Sequence, residues 1–275
     1  MSSATPATAP PDLSTLAGLL RAVAADEIMP RWHHAETSSK ADGSLVTEAD
    51  LAVQDRLTRV LADRWPEIPL LGEEMEPGEQ ARVLDGGTCW CLDPLDGTSN
   101  YACGYPGFAI SLALIQSGRV ELGLVLDPLR DECFMARRGE GAWCDGSPLR
   151  PFAPGERLRD CIAVVDFKRL PPERIPALFR EGSFRSQRNL GAIALEWCWL
   201  AAGRFQLYLH GGQRLWDWSA GRLIAEEAGI ASALFARDGA EPLAGIGLEK
   251  RVAVAAATPR LMAHWRDFIG LPLWP

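Results

Sequence analysis

Between Cys91 and Ser99 the chain reads Cys-Leu-Asp-Pro-Leu-Asp-Gly-Thr-Ser, with two carboxylates, Asp93 and Asp96, three residues apart behind an apolar run. Pro94 pushes Asp93 into extended backbone and Gly97 permits a sharp turn. Both carboxylates can then converge while the Thr98 and Ser99 amides open toward a following turn or helix. Carboxylates beside free amides suit a metal ion and a phosphate. An ordinary strand-to-turn junction uses the same residue types, so this stretch alone leaves both readings open. Two other acidic positions are equally double-edged. Asp217, ahead of an apolar-periodic stretch from Trp218 to Ala228, is either a ligand or a helix N-cap. Glu73, in Gly72-Glu73-Glu74, is either a ligand or part of a solvated loop.

The elements that must hold these residues follow from periodicity and punctuation. Leu13, Leu16, Leu19, Leu20, Val23 and Ala24 predict a first helix running to about Met29. Thr47 and Asp50, three apart, form a capping arrangement for a second helix whose stripe is Val53, Leu57, Val60 and Leu61, ending before Pro66. Ile68 to Leu71 predicts a short strand into Glu73, and Thr88 to Leu92 a buried strand stopping at Asp93-Pro94. Strands are expected over Phe108–Ile115 and Val120–Leu126 about a Gly118 turn, with a hairpin at Asp145-Gly146. In the second half the expectation is a strand at Cys161–Val165, a helix near Pro172–Phe179, a helix at Ala192–Ala202 and a strand at Phe205–Leu209. The helix from Asp217 to Ala228 then ends at Gly229, and a last strand and helix cover Val252–Ala256 and Pro259–Phe268. The Pro-rich, charged stretch between Pro148 and Arg159 divides halves 13–150 and 151–275.

With 275 residues and 47% hydrophobic content, the chain can bury an ample core without disulfide staples. A formal charge of -8 argues against a general nucleic-acid or acidic-membrane partner. Seven cysteines, an odd count without a CxxC pair, read as reduced and mostly buried thiols, which suits a cytoplasmic compartment. Residues 1–12 carry no basic region and no apolar stretch, so they are expected to be a disordered tail rather than a secretory signal. No run reaches the length of a membrane helix, and a soluble protein is expected.

Taken together the ambiguous fragments form a pattern. Gly72-Glu73-Glu74, Asp93-Pro94-Leu95-Asp96-Gly97-Thr98-Ser99-Asn100 and Trp216-Asp217-Trp218-Ser219-Ala220-Gly221 occur in order, with Leu45-Val46-Thr47-Glu48-Ala49-Asp50, the Gly139–Gly146 hairpin and Gly191-Ala192-Ile193-Ala194-Leu195-Glu196 between and around them. The chain resembles the inositol monophosphatase family over about Leu13 to Phe268. That resemblance implies an α+β fold, a layered α/β/α/β/α sandwich of the sugar-phosphatase type with mostly antiparallel sheets, and a homodimer.

The resemblance also implies two or three Mg²⁺ ions held by Glu73, Asp93, Asp96, Asp217 and the backbone carbonyl of Leu95. Hydrolysis of a small polyol phosphomonoester would then proceed by direct attack of an activated water. Glu73 and the Thr98 hydroxyl would position that water, with Asp50 polarising Thr98. Phosphate would sit on the amides around Gly97, Thr98 and Ser99, with Asp96, Asp217, Gly191 and Ala192 bordering the substrate. Lys40 lies where some relatives keep a lysine near the metal-bound waters, although a solvated loop charge is an equal reading. His210 departs from the pattern, standing where inositol-selective relatives carry a glutamate that binds ring hydroxyls; a surface or packing histidine is the commoner reading of such a residue, and a substrate contact the other. Inositol 1-phosphate leads as substrate, with histidinol phosphate, fructose 1,6-bisphosphate and 3'-phosphoadenosine 5'-phosphate open, and selectivity is expected from loops near Asp166, Lys168 and His210. Lithium sensitivity is a further expectation.

Other chemistries fit less well. Haloacid dehalogenase-type phosphatases place their two aspartates two apart, and no G-x-S-x-G for a serine hydrolase occurs. Gly139-Glu140-Gly141 lacks the third glycine of a dinucleotide loop. A regulatory binding protein retaining the fold would be expected to lack a ligand, and all four carboxylates and Thr98 are present.

Overall fold

A computed structural model describes residues 11–34, 36–39, 43 and 45–274; Lys40 and most of the expected tail lie outside them. In chain order the elements are α1 (Leu13–Val23), β1 (Thr37–Ser39), β2 (Leu45–Thr47), α2 (Glu48–Arg64), β3 (Leu70–Gly72), α3 (Pro77–Asp85), β4 (Thr88–Asp96) and α4 (Thr98–Ala102). Then come β5 (Ala109–Gln116), β6 (Arg119–Asp127), β7 (Glu132–Arg137), β8 (Gly141–Cys144), β9 (Ser147–Pro148), β10 (Ile162–Val165) and β11 (Ser186–Arg188). The chain closes with α5 (Ile193–Ala201), β12 (Leu207–Gln213), α6 (Leu215–Glu227), β13 (Ala231–Phe235), β14 (Arg251–Ala256) and α7 (Pro259–Ile269).

Seven strands form one sheet in the order β3-β4-β5-β6-β7-β8-β9, antiparallel except for β3 against β4. A five-stranded sheet runs β11-β10-β12-β14-β13, with β11, β10 and β12 parallel and the other pairs antiparallel. Leu16, Leu20 and Val23 of α1 and Val53, Leu57 and Leu61 of α2 share one buried cluster with Trp90, Leu92, Leu112 and Leu124 of the larger sheet. The pair α5 and α6 packs on that sheet's other face and also touches the smaller sheet, against which α7 lies. The result is the α/β/α/β/α layering that the resemblance implies, and no described helix is long and apolar enough to cross a membrane.

Several elements differ from expectation for local reasons. β4 does not stop at Asp93-Pro94 but continues to Asp96, because the pairing with β5 slips between Asp93↔Ser111 and Asp96↔Ala109. Pro94, which has no N–H to give a ladder, sits within that irregularity. Pro172–Phe179 breaks into two 3-10 turns, Pro172–Arg174 and Pro176–Phe179, since Pro176 cannot donate within a continuous α-helix. β12 extends past Leu209 to Gln213, so His210 lies in a strand and not beyond its end. α3 occupies what reads as a polar stretch; it buries only Gln80 and Val83, too few positions to leave a periodic signal.

Candidate active site

The end of β4 and the turn after it carry the centre of the site. Gly97 has φ of 91°, and a Cβ there would stand 2.8 Å from the Gly107 carbonyl, so this turn requires glycine. Reversing there sends the chain directly into α4, whose first amides, at Thr98 and Ser99, have no partner within the helix. Asp93 and Asp96 are buried on the strand side, where the Asp93 carboxylate accepts the Leu95 amide at 3.1 Å. Asp96 reaches across to the second half: its two oxygens accept the amides of Ile193 and Ala194 at 2.9 and 2.7 Å, capping the start of α5. It thereby ties the larger sheet to the helix layer between the sheets.

Thr98 links this turn to α2. Its hydroxyl lies 3.1 Å from the Asp50 carboxylate and 3.0 Å from the Leu95 carbonyl, both acceptors for its proton. Asp50 is held in turn by the Thr47 amide at 2.8 Å and the Thr47 hydroxyl at 2.5 Å, closing the capping box of α2. The helix cap thus doubles as the support for a hydroxyl at the site. Asp217 is the third residue of α6 rather than its N-cap, and its carboxylate accepts the Arg214 amide at 2.7 Å. Glu73 follows β3, with its amide on the Leu92 carbonyl at 3.1 Å and its own carbonyl held by Gln80 at 3.2 Å.

Crowding of these acids sets the electrostatics. Asp93 is raised well above the ordinary carboxylate range, first by burial and then by Glu73, Asp96, Asp217 and Asp50. Asp96 is raised likewise by burial and Asp217, against the pull of the Ala194 and Ile193 amides. Loss of hydration and the charge of Glu73 lift Asp217 to about 7, with the Arg214 amide, His210 and Arg169 opposing. Burial lifts Asp50 to about 6, countered by its bonds from Thr47, while Glu73 adds a smaller push upward. The charge of Glu73 bears on Asp93, Asp217 and Asp50, so it stands near all three. Among the described residues no three Asp, Glu, His or Cys side chains are already closed into a metal cage. The donor set is nonetheless hard oxygen throughout, and uncompensated negative charge of this density suits a small divalent cation.

The opposite wall is built from the second half. Gly191, with φ of 71°, and buried Ala192 precede α5. Glu196, itself buried within an apolar helix, accepts the Leu190 and Gly191 amides at 3.0 and 3.2 Å on one oxygen and the Tyr208 hydroxyl at 2.8 Å on the other. Gln213 supports Tyr208 at 2.7 Å and receives the Trp197 indole N–H at 3.1 Å. From the other side Asn100 donates to the Leu190 and Gly107 carbonyls at 2.7 and 2.6 Å.

His210 is 2% exposed, with Nδ1 accepting the Gly212 amide at 3.2 Å and Nε2 3.3 Å from the Asp166 carboxylate. Both ring nitrogens are therefore engaged within the chain. Burial pushes the Asp166 carboxyl up, but the hydrogen bond from His210 and the Lys168 amide outweigh it and hold the group below the usual range. Gly211 permits this arrangement, since a Cβ there would fall 1.8 Å from the Arg169 carbonyl. The roles of Glu196 and Asn100 go beyond the sequence analysis. A charged residue inside the apolar run Ala192–Ala202 is the signal that marks Glu196.

Residues 12–267 match the model of the Inositol monophosphatase family. A Nus factor SuhB of Pasteurella multocida is 35% identical over 202 residues, covering 70% of this chain and 73% of that protein. An Inositol monophosphatase 1 of Solanum lycopersicum is 32% identical over 226 residues, covering 79% and 82%. Among solved structures, an IMPase/NADP phosphatase complexed with Mg²⁺ and phosphate superposes with a TM-score of 0.78 at 26% identity, covering 94% of each chain. The matched span takes in every element from α1 to β14 and most of α7, together with Glu73, Asp93, Asp96 and Asp217, and the chain belongs to the inositol monophosphatase family.

Proposed function

We propose that the protein is a Mg²⁺-dependent phosphomonoesterase that hydrolyses a small phosphorylated polyol, with inositol 1-phosphate the first candidate. The observation that carries this is the set of facing carboxylates beside a hydroxyl already bonded to a carboxylate, at the mouth of a glycine turn. Glu73, Asp93, Asp96, Asp217 and the Leu95 carbonyl would hold the metal. Bound Mg²⁺ would neutralise these acids, stabilise charge on the phosphate and make a water nucleophilic near neutral pH.

The chain's own groups do the positioning. With its proton on Asp50, the Thr98 hydroxyl offers a lone pair to one hydrogen of the attacking water, and Glu73 accepts the other. Water oxygen bonds to phosphorus in line as the ester bond to the polyol breaks; the proton the water loses passes to Glu73, and the departing oxygen takes one from solvent water. Amides at Gly97, Thr98 and Ser99 receive phosphate oxygens. Asp96, fixed by α5, and the backbone at Gly191 and Ala192 border the alcohol portion. Because both nitrogens of His210 are occupied, its part is to hold Asp166, whose carboxylate stands in for the glutamate of inositol-selective relatives.

The seven cysteines without a described disulfide support a reducing, cytoplasmic setting. A homodimer is proposed on the family resemblance. A regulatory role is the second reading, favoured by relatives named Nus factor SuhB. Phosphate release from inositol 1-phosphate, histidinol phosphate, fructose 1,6-bisphosphate and 3'-phosphoadenosine 5'-phosphate, with and without lithium, separates the two. Turnover of one of them, inhibited by lithium, is expected; folded, metal-loaded protein inert toward all four would favour regulation.

A further inference from the structure

Further along α6 from Asp217 lies a half-open cavity of about 210 Å³, outside the carboxylate site. Gly118 borders it from the turn before β6, Arg119 from the start of β6, Arg138 from just past β7, Arg222 and Glu226 from α6, and Gly245 from the segment before β14. Arg222 stands five residues after Asp217, about 7.5 Å along the helix axis. Three guanidiniums thus face one carboxylate, and that carboxylate is already matched: Glu226 takes Arg222 at 2.7 Å and the Ser232 hydroxyl at 3.1 Å.

Arg138 uses only Nε, on the Val120 carbonyl at 2.7 Å, and among the described residues the Arg119 side chain has neither ion pair nor hydrogen bond. Trp218, 2% exposed, also lines the cavity, and its indole N–H is buried with no hydrogen-bond partner among the described residues. Arg251 lies over the Trp218 ring at 5.5 Å, adding positive charge at the cavity's edge, although Glu249 pairs with it. Burial first, and then the charges of Arg251 and Arg138, push the Arg222 guanidinium down from its ordinary pKa against the opposing pull of Glu226. Cationic groups with unused donors and an orphaned indole N–H call for a compact acceptor of several hydrogen bonds.

We propose that this cavity is a second anion site, taking a phosphate-type oxyanion between Arg119, Arg138 and Arg222 with the Trp218 indole as a further donor. Planar guanidiniums present paired donors that match tetrahedral oxyanions. The site does not depend on the metal, whereas the carboxylate cluster repels phosphate when no cation is bound.

Inorganic phosphate titrated into EDTA-treated protein by calorimetry tests this without reference to turnover. One phosphate per chain should bind saturably, and the double variant Arg119→Ala/Arg138→Ala should bind about tenfold more weakly or worse. Asp93→Asn should bind as the wild type does, and thermal melts with the double variant's Mg²⁺-dependent turnover serve as controls for its fold. No saturable uptake in EDTA, equal affinity in the double variant, or loss of uptake in Asp93→Asn would each overturn the site.

Discussion

The two sides of the candidate site are made in different ways. On the carboxylate side, Asp93, Leu95, Asp96, Gly97 and Thr98 lie within six consecutive residues, so one bulged strand end and one turn place most of the chemistry. The facing wall draws Asp166 from the end of β10, Glu196 from α5, and His210 and Gln213 from β12, and steadies them by side-chain hydrogen bonds. The first side is crowded with like charge and is raised in pKa by it; the second is a buried network in which nearly every polar atom is matched. One side therefore carries the charge that would draw a cation, and the other holds a shape.

The sharpest way to break the contrast is to remove charge from the first side. Asp93→Asn should lower Mg²⁺-dependent phosphate release by about 10³-fold or more, since it deletes a ligand and a preorganised charge. Circular dichroism should show the metal-free variant melting no lower than the wild type, because a repelled, buried carboxylate has become neutral. Thr98→Ala should cost about 10²-fold in kcat with KM nearly unchanged, which steady-state kinetics would resolve. A loss confined to KM would show that Thr98 holds substrate rather than water.

On the facing wall the effect should be smaller and of another kind. Glu196→Gln keeps the volume but replaces a doubly accepting carboxylate, loosening the Leu190–Gly191 amides. KM should rise about tenfold while kcat and the Mg²⁺ requirement stay within about threefold. A fall in kcat alone would place Glu196 with the carboxylate side instead.

Smallest of all is a shift with pH in the metal-free protein. Asp217 at about 7 and Asp50 at about 6 bind protons more tightly folded than unfolded, where an aspartate sits near 3.8. Between about pH 4 and 7 the folded chain therefore carries the extra protons, and its stability falls as pH rises. The melting temperature in EDTA should drop by several degrees from pH 5 to pH 8, and saturating Mg²⁺ should remove the drop. A melting temperature in EDTA that climbs over that interval would contradict the placement of these acids.

The same contrast decides how much was legible beforehand. Motif residues near one another in sequence, such as Asp93 through Thr98, disclose both their turn and their chemistry, because Pro and Gly constrain the backbone where the carboxylates stand. The Thr47–Asp50 box was visible as a helix start, yet its second duty, supporting Thr98 from 48 residues away, needed the fold. His210 shows the limit most clearly. Its position leaves a substrate contact and a packing role both open, and only the fold shows β12 burying it with both nitrogens on Gly212 and Asp166. The arginine cavity was not legible at all: Arg119, Arg138 and Arg222 look like separate solvated charges until α6 packs on the larger sheet.

Phosphate release from inositol 1-phosphate, followed while Mg²⁺ is titrated into EDTA-treated protein, tests the central claim most directly. The account predicts no measurable turnover without the cation and saturable turnover with it. Turnover undiminished in EDTA would contradict it.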